Sequence, residues 1–403
     1  MTSTLPPLAV GRFVGQSVNR KEDPRLITGH GRYVDDVVLP GLLHAVFVRS
    51  HVARGRIVRI DTTTARAADG VLAVLTAEDL NRRLVGPMVP SLLLGQSDGV
   101  APLQPLADGG VCFVGDLVAL IIARDRYRAE DAADLVDVEY EPLPPVLDFE
   151  LAADDTENLV HPERKTNVAS RSEVAVDAEL RELFDSAPHV VTATFHQQRQ
   201  TNVPMEPRGV VAHWDPFDGQ LTVYLSTQSP HEARLVASRI TGVPENRVRV
   251  IMGDVGGGFG QKAFMLREEM VIILAAHLLA KPIKWIEDRR ENLMASNTAR
   301  TERVTMTMAV DNEGHIQGAA IDHLDDLGAW PMAGGAALLM VMMLPGGYRI
   351  PRVAWRTTSV WTNTCGRAPY RGPWQMETMV REQMMDLVAS EIGMDPLEFR
   401  RKL

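Results

Sequence analysis

The sequence contains little cysteine, and this scarcity limits the metal chemistry that the chain can perform alone. Only Cys112 and Cys365 occur in 403 residues, and neither belongs to a CxxC pair or a Cys/His cluster. The chain is therefore expected neither to ligate an iron–sulfur cluster nor to build a zinc site by itself. His196, His213 and His231 show no ligand-like spacing, so packing or surface roles are expected for them.

Long hydrophobic runs and clusters of basic residues are also missing. The longest apolar run, VIILAAHLLA, is too short to span a bilayer, and the N-terminus lacks the basic start and apolar core of a signal peptide. The formal net charge is −10, and no window concentrates Lys and Arg with interleaved aromatic residues. These absences argue against nucleic acid and membranes as partners, and they favour a protein of the cytoplasm.

The chain is long enough for two or three domains, and it contains the apolar residues that their cores need. Hydrophobic residues make up 45% of the 403 positions and charged residues 23%, which is typical of a folded globular protein. Residues 15–148 alternate short strand and helix patterns and end at the Pro-rich EPLPPVLD. Residues 149–187 are polar and acidic, which predicts a linker across the surface. Residues 188–403 are expected to form the second domain.

The second predicted domain begins with three strand-like segments and continues with alternating strands and helices. The segments HVVTATFHQQRQ, GVVAHWD and LTVYLSTQ are rich in β-branched and aromatic residues and are expected to share a sheet. HEARLVASRITG predicts a short helix that ends at Gly242, and MLREEMVIILAAHLLA predicts a mostly buried one. The methionines of METMVREQMMDLVASEIG are spaced for core packing. We therefore expect an α+β fold.

One stretch of the second domain, GDVGGGFGQK at residues 253–262, suggests a backbone shaped to hold a ligand. Its glycines could simply permit a tight turn where a strand meets a helix. A Walker A phosphate loop is excluded, because Gln261 precedes Lys262 and Ala263 follows it, where that loop needs Gly and then Ser or Thr.

A dinucleotide-binding loop is a third interpretation of the same stretch. Residues 258–263 have the GxGxxA form, and the acidic pair Glu287 and Asp288 ends the next predicted strand, which would suit a nicotinamide-dependent dehydrogenase. The strand-rich flanks are less typical of such a unit. All of these ligand-binding interpretations share a glycine-lined backbone whose free N–H groups favour an anionic or carbonyl-rich ligand.

Several motifs spread along the chain identify a family resemblance. GRFVGQSVNRKEDPRLITGHGRYVDDV, MEPRGVVAHWD, LSTQSPHEARLVASRITGVPENRVRVIMGDVGGGFGQK, APYRGPW and IGMDPLEFRRKL follow one another in order. Together they resemble the xanthine dehydrogenase and aldehyde oxidase family, and more narrowly the molybdopterin-binding large subunit of bacterial members, including aerobic carbon monoxide dehydrogenase. The resemblance implies a small α/β hammerhead-like domain at 15–148 and a first mixed-sheet molybdopterin-binding domain at 188–403.

The resemblance also implies a molybdenum site in which a pterin, and not the protein, holds the metal. The dithiolene sulfurs of molybdopterin, expected here as its cytosine dinucleotide, bind molybdenum, so no residue of the chain is assigned as a metal ligand. Iron–sulfur (2Fe-2S) and FAD subunits are the implied partners that carry electrons away. The implied cofactor-binding residues are Gln228, Gly257, Gly258, Phe259, Gly260 and Arg371.

Each of these residues takes a role from the family pattern. The GGGFG backbone is expected beside the molybdenum, with Phe259 and Gly260 at its oxo face, and Gln228 opposite as a hydrogen-bond donor to an oxo ligand. Arg371 of PYRG is the one candidate catalytic residue, since its guanidinium could orient substrate or stabilise negative charge on oxygen. Glu206 of MEPR is expected in a structural role, and Lys262 as a contact at the start of the following helix.

Departures from the family pattern narrow the substrate. Gly372 stands where the carbon monoxide enzymes have a copper-binding cysteine, and Ala263 stands where xanthine-oxidising members have a glutamate for the purine. What remains is a small-molecule substrate that is an aldehyde or an N-heterocycle, hydroxylated with oxygen from water. In the family, the general-base glutamate lies in the second half of the subunit, beyond the position that corresponds to Leu403. A further chain or segment is therefore expected to supply that half, and the alternative is a non-catalytic binding or assembly protein.

Overall fold

The computed structural model describes residues 15–89, 103–332, 336–372 and 375–403, and within them the chain forms mixed sheets flanked by helices. Four residues of the first family motif (11–14) and two of APYRGPW (373–374) lie outside these ranges. The strands are β1 (Leu43–Arg49), β2 (Gly55–Asp61), β3 (Val71–Leu75), β4 (Gly110–Val111), β5 (Leu117–Ala123), β6 (Asp137–Pro142), β7 (Val168–Val174), β8 (His189–Gln197), β9 (Gln200–Thr201), β10 (Gly209–Asp215), β11 (Gln220–Leu225), β12 (Val248–Ile251), β13 (Ile283–Ile286), β14 (Thr298–Ala299), β15 (Glu302–Val310), β16 (Ile316–Asp326) and β17 (Val353–Val360). The α-helices are α1 (Asp23–Ile27), α2 (Thr63–Ala67), α3 (Ala77–Leu80), α4 (Arg126–Ala133), α5 (Phe149–Ala152), α6 (Ala178–Ser186), α7 (Pro230–Thr241), α8 (Arg267–Leu279), α9 (Arg289–Ala295), α10 (Ala336–Met343), α11 (Gln375–Glu391) and α12 (Pro396–Lys402). The predicted α+β class is confirmed.

The larger sheet is mixed and has the strand order β12-β11-β10-β13-β1-β5-β3. Its centre is a parallel pairing of β1 with β13, in which Leu43 lies opposite Ile283. Antiparallel pairings join β1 to β5, β5 to β3, β13 to β10 and β10 to β11. Because β1, β3 and β5 come from residues 15–148 and the other strands from 188–403, the two predicted domains share one sheet. Their boundaries stay a prediction.

The second sheet has the order β7-β17-β16-β15-β8 and corrects two expectations. Strand β8 (HVVTATFHQ) pairs with β15, with Phe195 opposite Val304, so it does not share a sheet with β10 and β11 as predicted. Strand β7 pairs with β17, although it lies within residues 149–187, which were expected to be a surface linker. The polar composition of β7 suits its place at an edge of this sheet, where one side faces water.

The helices cover the sheets with the faces that their sequences predict. Helix α7 starts at Pro230 and ends at Gly242, whose φ of 76° gives the left-handed C-terminal residue that glycine favours. Helix α8 is buried from Arg267 to Ala276 and packs on β10 and β13. The methionines of α11 are buried in a cluster with β15 and β16, which confirms their predicted packing role. Among the described residues no helix is both long enough and apolar enough to cross a membrane.

Candidate functional site

The glycine-rich stretch 253–262 forms a loop that leaves the larger sheet at the end of β12. The loop continues beyond the motif, and α8 begins only at Arg267, so the glycines do not open a helix directly. The expectation that Lys262 contacts the start of the helix is therefore wrong, because that lysine is buried beneath the loop itself. The geometry of the loop comes instead from the backbone conformation of its glycines.

Three residues of the loop have left-handed backbone, and at two of them, Gly257 and Gly260, this conformation explains the glycine. The φ angles are 102° at Gly257, 53° at Phe259 and 104° at Gly260. Consecutive N–H groups of Gly257, Gly258 and Phe259 have no hydrogen-bond acceptor among the residues that the structure describes. Successive unpaired N–H groups form a concave surface that favours negative charge or a carbonyl oxygen. The predicted ligand class thus has a physical basis in the loop.

Gln228 lies against this loop, three residues after β11 ends at Leu225. Its side-chain Oε1 accepts a hydrogen bond from the N–H of Gly260 at 3.0 Å, which leaves the Nε2 group as a donor. A Cβ atom on Gly258 would lie only 2.9 Å from the Gln228 Cδ, so only glycine permits this close approach. The structure therefore brings together the predicted amide and the predicted loop, and it orients the amide so that it can donate.

The turn that carries Arg371 lies on the same loop. The N–H of Arg371 donates to the carbonyl of Phe259 at 2.7 Å, and the buried Asn202 donates through Nδ2 to the carbonyl of Pro369 at 2.9 Å. A Cβ on Gly260 would lie 2.8 Å from the Pro369 carbonyl carbon. The Arg371 side chain is exposed and makes no ion pair with any residue in the described ranges. Its guanidinium is therefore available to a ligand.

Beneath the loop, Lys262, Glu206 and Ser226 form a buried polar cluster. The Lys262 Nζ donates to the Glu206 Oε2 at 2.9 Å and to the Ser226 Oγ at 2.7 Å. The Glu206 carboxylate also accepts from the N–H of Gly256 at 2.8 Å, which confirms the predicted structural role of this residue. Burial lowers the pKa of Lys262, while the neighbouring Glu206 opposes that change. The sequence pointed to the lysine and the glutamate separately, and nothing in it paired them with Ser226.

The segment before β1 clamps the entrance of the loop. Arg25 donates from both terminal nitrogens to the Asp254 carboxylate at 2.5 and 2.7 Å, and the Arg32 N–H donates to the same carboxylate at 2.7 Å. In return the Asp254 N–H donates to the Arg32 carbonyl at 2.9 Å. The Arg25 guanidinium holds the pKa of Asp254 well below its usual range. The hammerhead-like region thus fixes one end of the glycine-rich loop.

Replacing Asp254 tests this clamp through its pH dependence. Because the folded-state pKa is lowered, the ionised carboxylate stabilises the protein above its unfolded pKa of about 3.9, and this stabilisation is lost as the pH falls. We expect Asp254→Asn to lower the urea midpoint at pH 7 and to differ less from wild type as the pH drops below about 4. Asp185→Asn, at an exposed position of α6, is the control. A midpoint difference that stays constant with pH would contradict the expectation.

The nicotinamide interpretation of the loop is wrong on structural grounds. Glu287, the acid expected to bind a ribose, is 1% exposed and bonded to the Arg208 guanidinium at 2.8 Å. Asp288 accepts from the N–H of Glu291 as the N-cap of α9. Neither carboxylate is available to a nucleotide, and the glycines stand in a long loop away from the start of α8.

The predicted histidines lie on separate elements of the fold. His196 lies in β8, His213 in β10 and His231 in α7. In the described part of the chain no group of three or more His, Cys, Asp or Glu side chains could hold a metal ion. The residues do fit a group that brings its own metal ligands, because the loop offers unpaired N–H donors, a neutral amide and an exposed guanidinium.

Comparison with known families matches this chain over nearly its whole length. Residues 28–144 match the aldehyde oxidase and xanthine dehydrogenase a/b hammerhead domain, and residues 160–403 match the molybdopterin cofactor-binding domain. The matches confirm the order of domains that the motifs implied.

Individual relatives and a solved structure agree with the family models. The large subunit of nicotine 6-hydroxylase from Paenarthrobacter nicotinovorans is 37% identical over 98% of the chain, which covers 49% of that relative. The nicotinate dehydrogenase large molybdopterin subunit from Eubacterium barkeri is 28% identical over 96% of the chain, which covers 88% of it. The crystal structure of quinoline 2-oxidoreductase from Pseudomonas putida 86 matches with a TM-score of 0.89 and 36% identity, over 96% of this chain and 49% of that one.

The chain therefore spans about half the length of the nicotine and quinoline enzymes' subunits that it matches. The match to the hammerhead domain, the match to the cofactor-binding domain and the geometry of the loop support the same family assignment. The chain belongs to the xanthine dehydrogenase and aldehyde oxidase family, and it contains the family's molybdopterin cofactor-binding domain.

Proposed function

We propose that this chain forms part of the molybdenum site of a hydroxylase that oxidises an N-heterocycle or an aldehyde. The observation that carries the proposal is the convergence of Gln228, the unpaired N–H groups at 257–259 and Arg371 on one loop. The named reactions of the nicotine and quinoline relatives favour the N-heterocycle. Ala263 packs in an apolar cluster with Leu266 and offers no carboxylate to a purine.

When bound, molybdenum held by molybdopterin, proposed here as the cytosine dinucleotide, supplies the centre that takes two electrons from the substrate while water provides the oxygen. The chain's own residues hold and orient the cofactor and the substrate. The unpaired N–H groups of Gly257, Gly258 and Phe259 would bind negative charge on the cofactor, and the Gln228 Nε2 would donate without adding charge. The Arg371 guanidinium stabilises negative charge that develops on the substrate during attack. Phe259, which is 39% exposed, offers an aromatic surface beside these donors.

We propose that a second half, in the same or a separate polypeptide, supplies the remaining cofactor contacts and the catalytic base. Iron–sulfur and FAD subunits are the proposed electron carriers. The lengths of the nicotine and quinoline relatives support the proposal of a second half, since the chain covers only 49% of each relative.

The decisive experiment measures molybdenum and pterin in the protein purified with its natural partners. We expect molybdenum in proportion to this chain, and turnover of quinoline or nicotine with a dye as electron acceptor, with benzaldehyde tested in parallel. A complex that lacks molybdenum and pterin would contradict the proposal and would favour a non-catalytic assembly protein. A molybdenum-containing complex that oxidises only benzaldehyde would change the substrate class.

Single substitutions test the assigned residues in that complex. Arg371→Ala should lower turnover roughly a hundredfold, as expected for loss of a donor that stabilises developing charge. Gln228→Ala should lower it roughly tenfold through loss of one hydrogen bond. Arg371→Ala should keep the wild-type unfolding midpoint because that side chain is exposed. Gln228→Ala should lower the midpoint slightly because the Gly260 N–H loses its acceptor. Arg349→Ala and Gln317→Ala, away from the loop, are the matched controls, and unchanged turnover in the site variants would refute the assignments.

A further inference from the structure

Two consecutive residues between β14 and β15 have left-handed backbone. The φ angles are 72° at Arg300 and 70° at Thr301, and neither residue is glycine. This conformation is unfavourable for side chains with a Cβ atom, and more so for a β-branched residue such as threonine. Strained backbone of this kind persists where surrounding contacts fix it, often at functional positions. The contacts of the Arg300 side chain show what the conformation achieves.

The buried guanidinium of Arg300 holds the turn that carries Arg371. Its Nη2 donates to the carbonyl of Tyr370 at 2.8 Å and to the Gln375 Oε1 at 2.7 Å, and both terminal nitrogens reach the carbonyl of Gly372 at 3.3 Å. The Arg300 side chain also lies 5.9 Å from the centre of the Tyr370 ring. The carbonyls on either side of Arg371 are therefore both bound by one residue that is 3% exposed.

The turn itself requires such support. Arg371 has a φ of 24° and Gly372 one of 86°, so the backbone leaves the ordinary extended and helical regions at both positions. On the other side, the Arg371 N–H donates to the carbonyl of Phe259 at 2.7 Å. Arg300 and Phe259 thus hold the turn from opposite sides, and together they set the distance between the Arg371 backbone and the glycine-rich loop.

We propose that Arg300 is a positioning residue, which fixes the turn 370–372 and so places Arg371 over Phe259. Its effect on substrate would pass through Arg371, so its meaning for catalysis rests on the proposed function. Lysine would replace it only in part, because its ammonium lacks the second nitrogen that also reaches the Gly372 carbonyl and the planar group that lies beside the Tyr370 ring. The left-handed backbone at 300–301 is the conformation from which the side chain reaches this turn.

Hydrogen exchange of the full chain tests the proposal without cofactor or activity. In Arg300→Met, exchange in the peptide 368–372 should be about tenfold faster than in wild type, because charged hydrogen bonds that hold the turn are lost. In Arg300→Lys the increase should be smaller, since the charge and part of the bonding remain. Arg303→Met is the matched control, because Arg303 lies three residues later, in β15, and pairs with the side chains of Glu150 and Asp322 instead.

The outcomes separate a positioning role from a general structural one. Faster exchange confined to 368–372, graded from Lys to Met and absent in the Arg303 variant, supports the proposal. Wild-type exchange in 368–372 of Arg300→Met overturns it, and so does an equal increase throughout β15 and β17, which would show global destabilisation. A complex without molybdenum would overturn the proposed function and leave this exchange result intact, so the two failures are distinguishable.

Discussion

Arg208→Met is expected to lower the urea midpoint of the protein more than any of the other proposed substitutions. The Arg208 guanidinium is fully buried and bonded to Glu268 at 2.9 Å, to Glu269 at 3.2 Å and to Glu287 at 2.8 Å. Removing the cation takes the shared partner from three interior carboxylates, of which Glu268 keeps an ion pair with Arg49 at 3.1 Å. Breaking a buried pair in this way costs about 3–5 kcal/mol. That cost is a large share of the stability of a typical domain.

The measurement is the urea midpoint of the full chain, followed by tryptophan fluorescence. Arg56→Met is the control, because the side chain of Arg56 is 63% exposed beside Glu141 and its loss should change the midpoint little. Burial raises the pKa of Glu269 to about 7, so this carboxyl can take up a proton and relieve part of the cost. Because Arg208 lowers that pKa in the wild type, its loss moves the protonation of Glu269 above pH 7, so the deficit of the Met variant should grow as the pH rises above neutral. A wild-type midpoint in Arg208→Met would show that the cluster is not structural.

Gly260→Ala is expected to have the largest effect on the proposed cofactor site. The residue has a φ of 104°, and an added Cβ would lie 2.8 Å from the Pro369 carbonyl carbon, so either the loop or the Arg371 turn must move. A displacement of about 1 Å at a reacting centre can cost roughly a hundredfold in rate. We expect a loss of at least that order in turnover, together with reduced molybdenum and pterin content.

Gly219→Ala separates the clash from the backbone strain in this experiment. Gly219 also has a positive φ, 62°, but a Cβ there would meet no atom within 4 Å. Both variants share the unfavourable conformation, and only Gly260→Ala introduces the contact. If the two variants retain equal molybdenum and turnover, the close approach of the loop to the Arg371 turn has no functional importance.

The local elements of this fold could be predicted because their signals are local. Helix α7 was predicted by its apolar spacing and by Gly242, and the buried α8 was predicted by its apolar sequence. The assignment of β8 to the sheet of β10 and β11 was wrong, since alternation shows that a strand has a buried face but not which strand it pairs with. The strand that pairs with β8 is β15, which lies more than a hundred residues later in the chain. His189, for example, pairs with Val310.

The site shows the same division between local and distant information. The glycines, the amide of Gln228 and the PYRG turn could be singled out from their motifs, and the structure places them together. Arg300 carried no such signal, because an arginine between two strands normally faces solvent. Its function arises from the left-handed backbone and from a turn some seventy residues later, which no short sequence window contains.

The parallel pairing at the centre of the larger sheet has a consequence for synthesis of the protein. Strand β1 emerges from the ribosome early, but its neighbour β13 follows only when Ile283 has been made. At ordinary elongation rates the delay is on the order of tens of seconds. During that time the β13-facing side of β1 has no native neighbour, and an unpaired strand side is a site where nascent chains associate. Nascent chains that end between β1 and β13 are therefore expected to bind chaperones through this unpaired side of β1.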